Sequence, residues 1–340
     1  MKTDPPLAAA TLPSPTARRR TLEFVLDNLV WAILLAILAI CSLSIDHFFQ
    51  VGIFINILQH ATYVGLLALG LSFAVIAGHM DLSIESVMGF AAMLAAGLCA
   101  SRGSPLGIVL PTWATLVTAL AFGALVGFFN AILIVRLGIN AFIVTLATYI
   151  AVRGLGLIVS GGKAMYGLPD DFRAVANTDL LGLPLLVWIL IITYLVFAQV
   201  LKRSLFGRQI YLVGGNPTAA FRAGINVDRV LFKVFILSGV LAAFAGWLLA
   251  ARTNGATPNL GIGMLFEAFA AVVIGGVSLR GGVGGLSGVV AGVLLLSAID
   301  TAINIMGLDA SYMQVIRGGL MLIAVMLDSL KERVRKAYSG

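Results

Sequence analysis

The chain has 340 residues, 60% of them hydrophobic and only 11% charged, with a formal net charge of +7. Its mean hydropathy of +1.04 excludes a soluble globular protein, in which about a quarter of residues are charged, and marks an integral membrane protein. The basic residues gather in tails and connectors without interleaved aromatics, so they read as orientation signals and not as a nucleic-acid footprint.

The long apolar runs do not alternate as barrel strands do, and a bilayer-spanning helix needs roughly 20 mainly apolar residues, so the fold class is all-α, a polytopic transmembrane helical bundle. Residues 1–27 read as a disordered cytoplasmic tail, proline-rich at its start. Leu38-Ala39-Ile40-Cys41 outlines a lipoprotein cleavage site, but Ile40 is too bulky for one, and the first apolar run is expected to be retained. About ten spans follow, at 28–45, 52–77, 83–100, 106–135, 139–160, 180–201, 232–251, 264–279, 286–306 and 313–328. Residues 28–330 thus form the transmembrane domain, with a cytoplasmic loop at 202–233, and 331–340 a basic cytoplasmic tail. Placing both termini in the cytoplasm puts Arg18, Arg19, Arg20, Arg136, Arg208, Arg280, Lys331 and Arg335 on that side, against Arg102, Lys163, Arg173 and Arg252 outside. That is the positive-inside bias. Cys41 and Cys99 stand in apolar surroundings and form neither a disulfide framework nor a metal-ligand spacing.

Small residues four apart, Gly123/Gly127/Ala131, Ala242/Gly246/Ala250 and Gly284/Gly288/Gly292, predict close helix packing. Two tight turns, Gly78 to Ser83 and Gly275 to Gly282, fall on the cytoplasmic side and are candidate gate elements through Asp81, Ser83, Ser278 and Arg280. The plainer reading has Asp81, Ser83 and Glu85 capping the third helix. In the loop Lys202 to Lys233, Asn216 reads as an N-cap, Pro217 as the first helical residue, Thr218 to Ala223 as a short helix and Gly224 as its left-handed stop. A helix this short is marginal alone in water, which makes Asn216, Pro217, Thr218, Ala219, Ala220, Phe221, Arg222 and Gly224 a candidate docking surface for a cytosolic partner.

No enzyme constellation is legible. His47, His60 and His79 are scattered, and Ser160-Gly161-Gly162-Lys163 lacks the first glycine of a P-loop, so the chain is expected to bind no ATP and to carry neither catalytic residues nor a metal site. What remains is polar chemistry inside the spans: Asn56, Gln59, His60, Asn130, Thr145 and Glu267 as a candidate solute pathway, with Thr148 and Asn304 nearby. The alternative is that these groups only bond neighbouring helices. The spans hold too few charges for an ion-driven machine, so the solute is expected to be neutral and polyhydroxylated, with energy supplied from elsewhere.

Several stretches in order, Asn56-Ile57-Leu58-Gln59, Gly78-His79-Met80-Asp81-Leu82-Ser83, Phe142-Ile143-Val144-Thr145-Leu146 with Arg153-Gly154, Gly215-Asn216-Pro217-Thr218-Ala219-Ala220 and Ala270-Ala271-Val272-Val273-Ile274-Gly275-Gly276-Val277-Ser278-Leu279, resemble the permease subunits of bacterial ATP-binding cassette importers of the ribose, xylose, arabinose and galactoside type. The resemblance covers about Val51 to Asp328 and implies a homodimeric inner-membrane channel. It also implies a cytosolic ATPase that binds the ATP, contacted through Asn216 to Gly224, and a periplasmic sugar-binding protein that delivers a pentose, galactoside or related polyol. The chain departs from the family pattern at His79 and Glu85, where glycine is usual, at Asn140, near which proline is usual, and at Leu265 and Glu267, where an acidic pair is usual. A branched-chain amino acid or nucleoside permease is the alternative within the wider superfamily; an ion-coupled carrier and a membrane-embedded enzyme are the alternatives outside it.

Overall fold

A computed structural model describes residues 15–99 and 108–308, with side chains from residue 28, and isolated helical residues between 312 and 326. The tenth expected span, 313–328, is described only in part, at helical positions scattered along it, and residues 1–14 and the basic tail 331–340 fall outside the described residues. Helix α1 (Pro15–Ser44) begins inside the stretch expected as tail, so its backbone from residue 15 is helical. It is followed by α2 (Val51–Ile76), α3 (Ile84–Cys99), α4 (Thr112–Ala131) with a π-helical extension (Ile132–Arg136), and α5 (Ala141–Ser160). Next come β1 (Met165–Tyr166), α6 (Asp170–Asn177), β2 (Asp179–Leu180) and β3 (Leu183–Pro184). The chain continues through α7 (Leu185–Arg203), α8 (Leu205–Gly215), α9 (Pro217–Arg222), α10 (Val227–Thr253), β4 (Gly255–Ala256), α11 (Met264–Ile274) and α12 (Leu286–Ile305).

The ends follow from local chemistry. Asn140 starts α5 by accepting from Phe142 N at 2.9 Å, Asn226 starts α10 by accepting from Arg229 N at 2.9 Å, and Ser204 accepts from Gly207 N at 3.0 Å to turn α7 into α8. Among the described residues six helices are long and apolar enough to cross a membrane: Val51–Ile76, Thr112–Arg136, Ala141–Ser160, Leu185–Arg203, Val227–Thr253 and Leu286–Ile305. The expected span at 264–279 is corrected: α11 has 11 residues, too short to cross. The expected span at 83–100 is helical over Ile84–Cys99, where the described residues stop. A hydropathy sum over 264–279 runs through the residues that end α11, Gly275 and Gly276, while Asp81 Oδ1 takes the N–H of Ser83 at 3.0 Å just before α3.

Helix α10 is the central post, packed against α2, α3 and α4. Its closeness to α4 rests on glycine: a Cβ on Gly127 would collide with the Phe235 carbonyl, and one on Gly123 with that of Gly239. Helix α3 begins beside the middle of α10, since Met88, in the first turns of α3, backs onto Gly246. At one end of the bundle the strands staple the loops, β1 pairing antiparallel with β4 (Met165↔Ala256) and β2 with β3. Phe172 of α6 tucks against Trp247, 4.9 Å between ring centroids. At the other end, reached through α7, the two tight turns meet: Gly282 N donates to Ile76 O at 2.8 Å, and Gly214 of α8 lies so close to both that a Cβ there would strike Ile76 and Gly282.

Gly127→Leu is expected to force α4 off α10 and lower stability by about 1–3 kcal/mol or more, whereas Gly154→Ala, with nothing within 4 Å of the added carbon, should cost nothing; thermal unfolding of the purified variants in detergent checks the contrast.

Candidate functional site

At the end carrying α8, the expected short helix is present as α9. Asn216 caps it by accepting from Ala219 N at 2.9 Å, Pro217 occupies the first turn, Ala223 closes it and Gly224 follows at φ 82°. Only a glycine holds that left-handed turn without steric cost. Phe221 stands 70% exposed, with Thr218, Ala219 and Arg222 exposed beside it. Ala220, expected on the docking surface, is corrected: it is 4% exposed and packs inward, and its carbonyl takes the N–H of Ile225. The face left for a partner is one aromatic ring among small and basic residues.

The polar residues expected along a single pathway divide into two clusters. In the first, Asn130 Nδ2 donates to Ser83 Oγ at 3.0 Å, Thr148 Oγ1 donates to Asn130 Oδ1 at 2.7 Å, and Ser83 Oγ donates to Asp81 Oδ1 at 2.6 Å. Thr145 Oγ1 turns back to Ala141 O at 2.8 Å. Asp81, Asn130 and Thr145 are fully buried, and the cluster ties the start of α3 to α4 and α5. Glu85, expected to cap α3 itself, is corrected: its Oε2 accepts from Gly263 N at 2.9 Å and Leu265 N at 3.0 Å, capping α11, while Tyr149 donates to Oε1 at 3.1 Å. A carboxylate at a helix N-terminus satisfies donors that have no partner within the helix and complements the helix dipole.

The second cluster joins α2, α11 and α12. His60 Nε2 lies 3.6 Å from Asp300 Oδ2 and 3.9 Å from Glu267 Oε2, its Nδ1 lies 3.4 Å from Ser297 Oγ, and Asn304 Nδ2 donates to Asp300 Oδ2 at 3.1 Å. Gln59 Oε1 accepts from Arg252 at 3.2 Å, and Asn56 is exposed one turn before His60. Asp300 and Ser297 escaped the sequence reading, although Ser297, Asp300 and Asn304 recur at helical spacing on an otherwise apolar helix, the signature of one polar face. Of the turn residues, Ser278 braces its own loop, taking Arg280 N at 3.3 Å, and Arg280 is exposed.

Membrane-length helices with shorter ones between them, polar clusters inside and a capped helix at one end define a polytopic helical membrane protein. The chain belongs to the family described as branched-chain amino acid transport system / permease component, whose model matches residues 53–325. Its relatives include the L-arabinose ABC transporter permease protein AraH of Azospirillum brasilense, 33% identical over 99% of this chain and 97% of the relative. The ribose import permease protein RbsC of Haemophilus influenzae is 31% identical over 90% and 94%, and the L-arabinose transport system permease protein AraH of Escherichia coli 35% identical over 80% and 81%. No solved structure matches the chain. It is a multi-pass inner-membrane channel subunit of an ATP-binding cassette transporter and not an enzyme.

Glu85→Ala removes the acceptor for two backbone donors and is expected to cost about 1–3 kcal/mol for each one left buried and unpaired. Asn130→Leu, which strips Ser83 and Thr148 of a partner, should cost a similar amount. Thermal unfolding in lipid nanodiscs reads both, and Glu85→Gln should recover part of the loss because its amide oxygen still accepts.

Proposed function

We propose that the chain imports a neutral sugar of the pentose type, or a related polyol, as a homodimer fed by a periplasmic binding protein and driven by a cytosolic ATPase that seats on α9. The arabinose and ribose relatives support the solute class. The observation that carries the coupling is the seating of α8: Gly214 is wedged against both Ile76, which ends α2, and Gly282, which precedes α12. A partner that moves α9 moves α8 with it, and α8 has no side chain at Gly214 to cushion either contact.

The two polar clusters take different roles in this reading. Asn130, Asp81 and Ser83, buried and bonded to one another, hold the start of α3 as a frame, with Thr145 buried beside them and bonded to Ala141 O. Asn56, Gln59, His60 and Glu267, joined by Asp300, line the route, where His60 and Asn56 reach solvent. Ser278 and Arg280 belong to the turn that α8 moves.

Transport by the chain reconstituted with its ATPase and binding protein tests the coupling. Ala219→Trp adds bulk to the exposed face of α9 and is expected to reduce transport and solute-stimulated ATP hydrolysis together by at least about tenfold, the equivalent of 1.4 kcal/mol. Gly224→Val strains the turn by about 1–2 kcal/mol and should impair both in the same ratio. Wild-type transport by Ala219→Trp would remove α9 from the interface. Orientation is tested separately in a cysteine-free background: a membrane-impermeant thiol reagent applied to intact cells should label Lys163→Cys and leave Thr218→Cys unlabelled until the membrane is opened.

A further inference from the structure

The cluster of His60, Glu267 and Asp300 brings one imidazole and two carboxylates together from three helices, with one ligand atom of each within 4.8 Å of the others. Glu267 and Asp300 are 4% and 8% exposed, and His60 closes the side nearest solvent. Two carboxylates at this separation in a low-dielectric interior repel one another and lose their hydration together, so the site calls for positive charge. A protonated imidazole supplies one unit and leaves the cluster negative. A divalent cation with a neutral imidazole brings the sum to zero, which is also the condition that suits an uncharged solute passing beside it.

We propose that His60, Glu267 and Asp300 form a binding site for a divalent transition-metal cation of the zinc class. The donor set has the mixed imidazole and carboxylate character that such ions take, with three protein ligands and room for a fourth from solvent. The supporting contacts are those a metal-bound histidine needs. Ser297 Oγ faces Nδ1 at 3.4 Å, which fixes the ring with Nε2 toward the carboxylates, and Asn304 Nδ2 orients Asp300 at 3.1 Å. The spacings of 3.6 and 3.9 Å from Nε2 exceed the mutual separation of ligands on zinc by a few tenths of an ångström, a contraction within reach of side-chain rotation. Metal binding would cross-link α2, α11 and α12 at one point and so favour the arrangement in which these helices are together.

The test uses the full-length chain carrying a purification tag without histidines, in lipid nanodiscs, stripped with chelator, equilibrated with Zn²⁺ and desalted. Elemental analysis is expected to find about one zinc per chain, and thermal unfolding should shift upward with zinc. His60→Gln and Asp300→Asn should each weaken retention by about 10- to 100-fold with an unchanged gel-filtration profile. Wild-type protein that retains well under one zinc per chain, or folded variants that retain zinc as well as wild type, would overturn the proposal. The wild-type stoichiometry decides the matter even where a variant does not fold, and because the readout is metal retained and not solute moved, it is independent of which sugar is carried.

Discussion

Everything in this bundle depends on backbone groups finding partners where water is excluded. A helix that ends inside the membrane exposes N–H groups that hydrocarbon cannot satisfy, each costing several kcal/mol. The starts of α3 and α11 are likewise buried away from water. Glu85, near the start of α3, answers for α11 by taking the N–H groups of Gly263 and Leu265, and Asp81 and Ser83 answer for α3 with Asn130 and Thr148 behind them. The starts of α3 and α11 are thereby tied to each other through one carboxylate, while their bodies pack mainly on other helices.

The second constraint is distance. In lipid there is no hydrophobic gain from bringing helices together, so van der Waals contact and backbone proximity carry the association. Gly123, Gly127 and Gly239 let α4 lie directly on α10, and Gly246 does the same for α3. At the end near α9 the same device is applied to turns, where Gly214, Gly281 and Gly282 put three segments in backbone contact. Such contacts have little slack, since side-chain rotation, the usual buffer of a packed interface, is missing.

How much of this was legible in the sequence depends on range. Helix α9 is readable because Asn216, Pro217 and Gly224 act on their immediate neighbours, and the six long helices follow from apolar runs, though the runs at 106–135, 180–201 and 232–251 miss the helix starts at Thr112, Leu185 and Val227 by five or six residues. The short length of α11 is not readable, because hydropathy over 264–279 averages across the Gly275-Gly276 pair that ends the helix. Local spacing gives Glu85 to the nearer helix, in whose first turn it stands, whereas the N–H groups it takes lie far along the chain at Gly263 and Leu265. Ala220 was placed on the wrong side of α9, because a helix of six residues gives no periodicity from which to choose a face. The meeting of His60, Glu267 and Asp300 required knowing that α2, α11 and α12 are neighbours, which no local pattern states.

The two-residue ladder between β1 and β4 ties the loop after α5 to the interior of the bundle. Met165 and Tyr166 belong to the loop after α5, while Ala256 is followed, through residues 257–263, by the first turn of α11 and the two amides that Glu85 holds. A displacement of the loop after α5 is therefore passed through the ladder and residues 257–263 to the buried contact between Glu85 and the start of α11, with no side-chain packing needed to carry it.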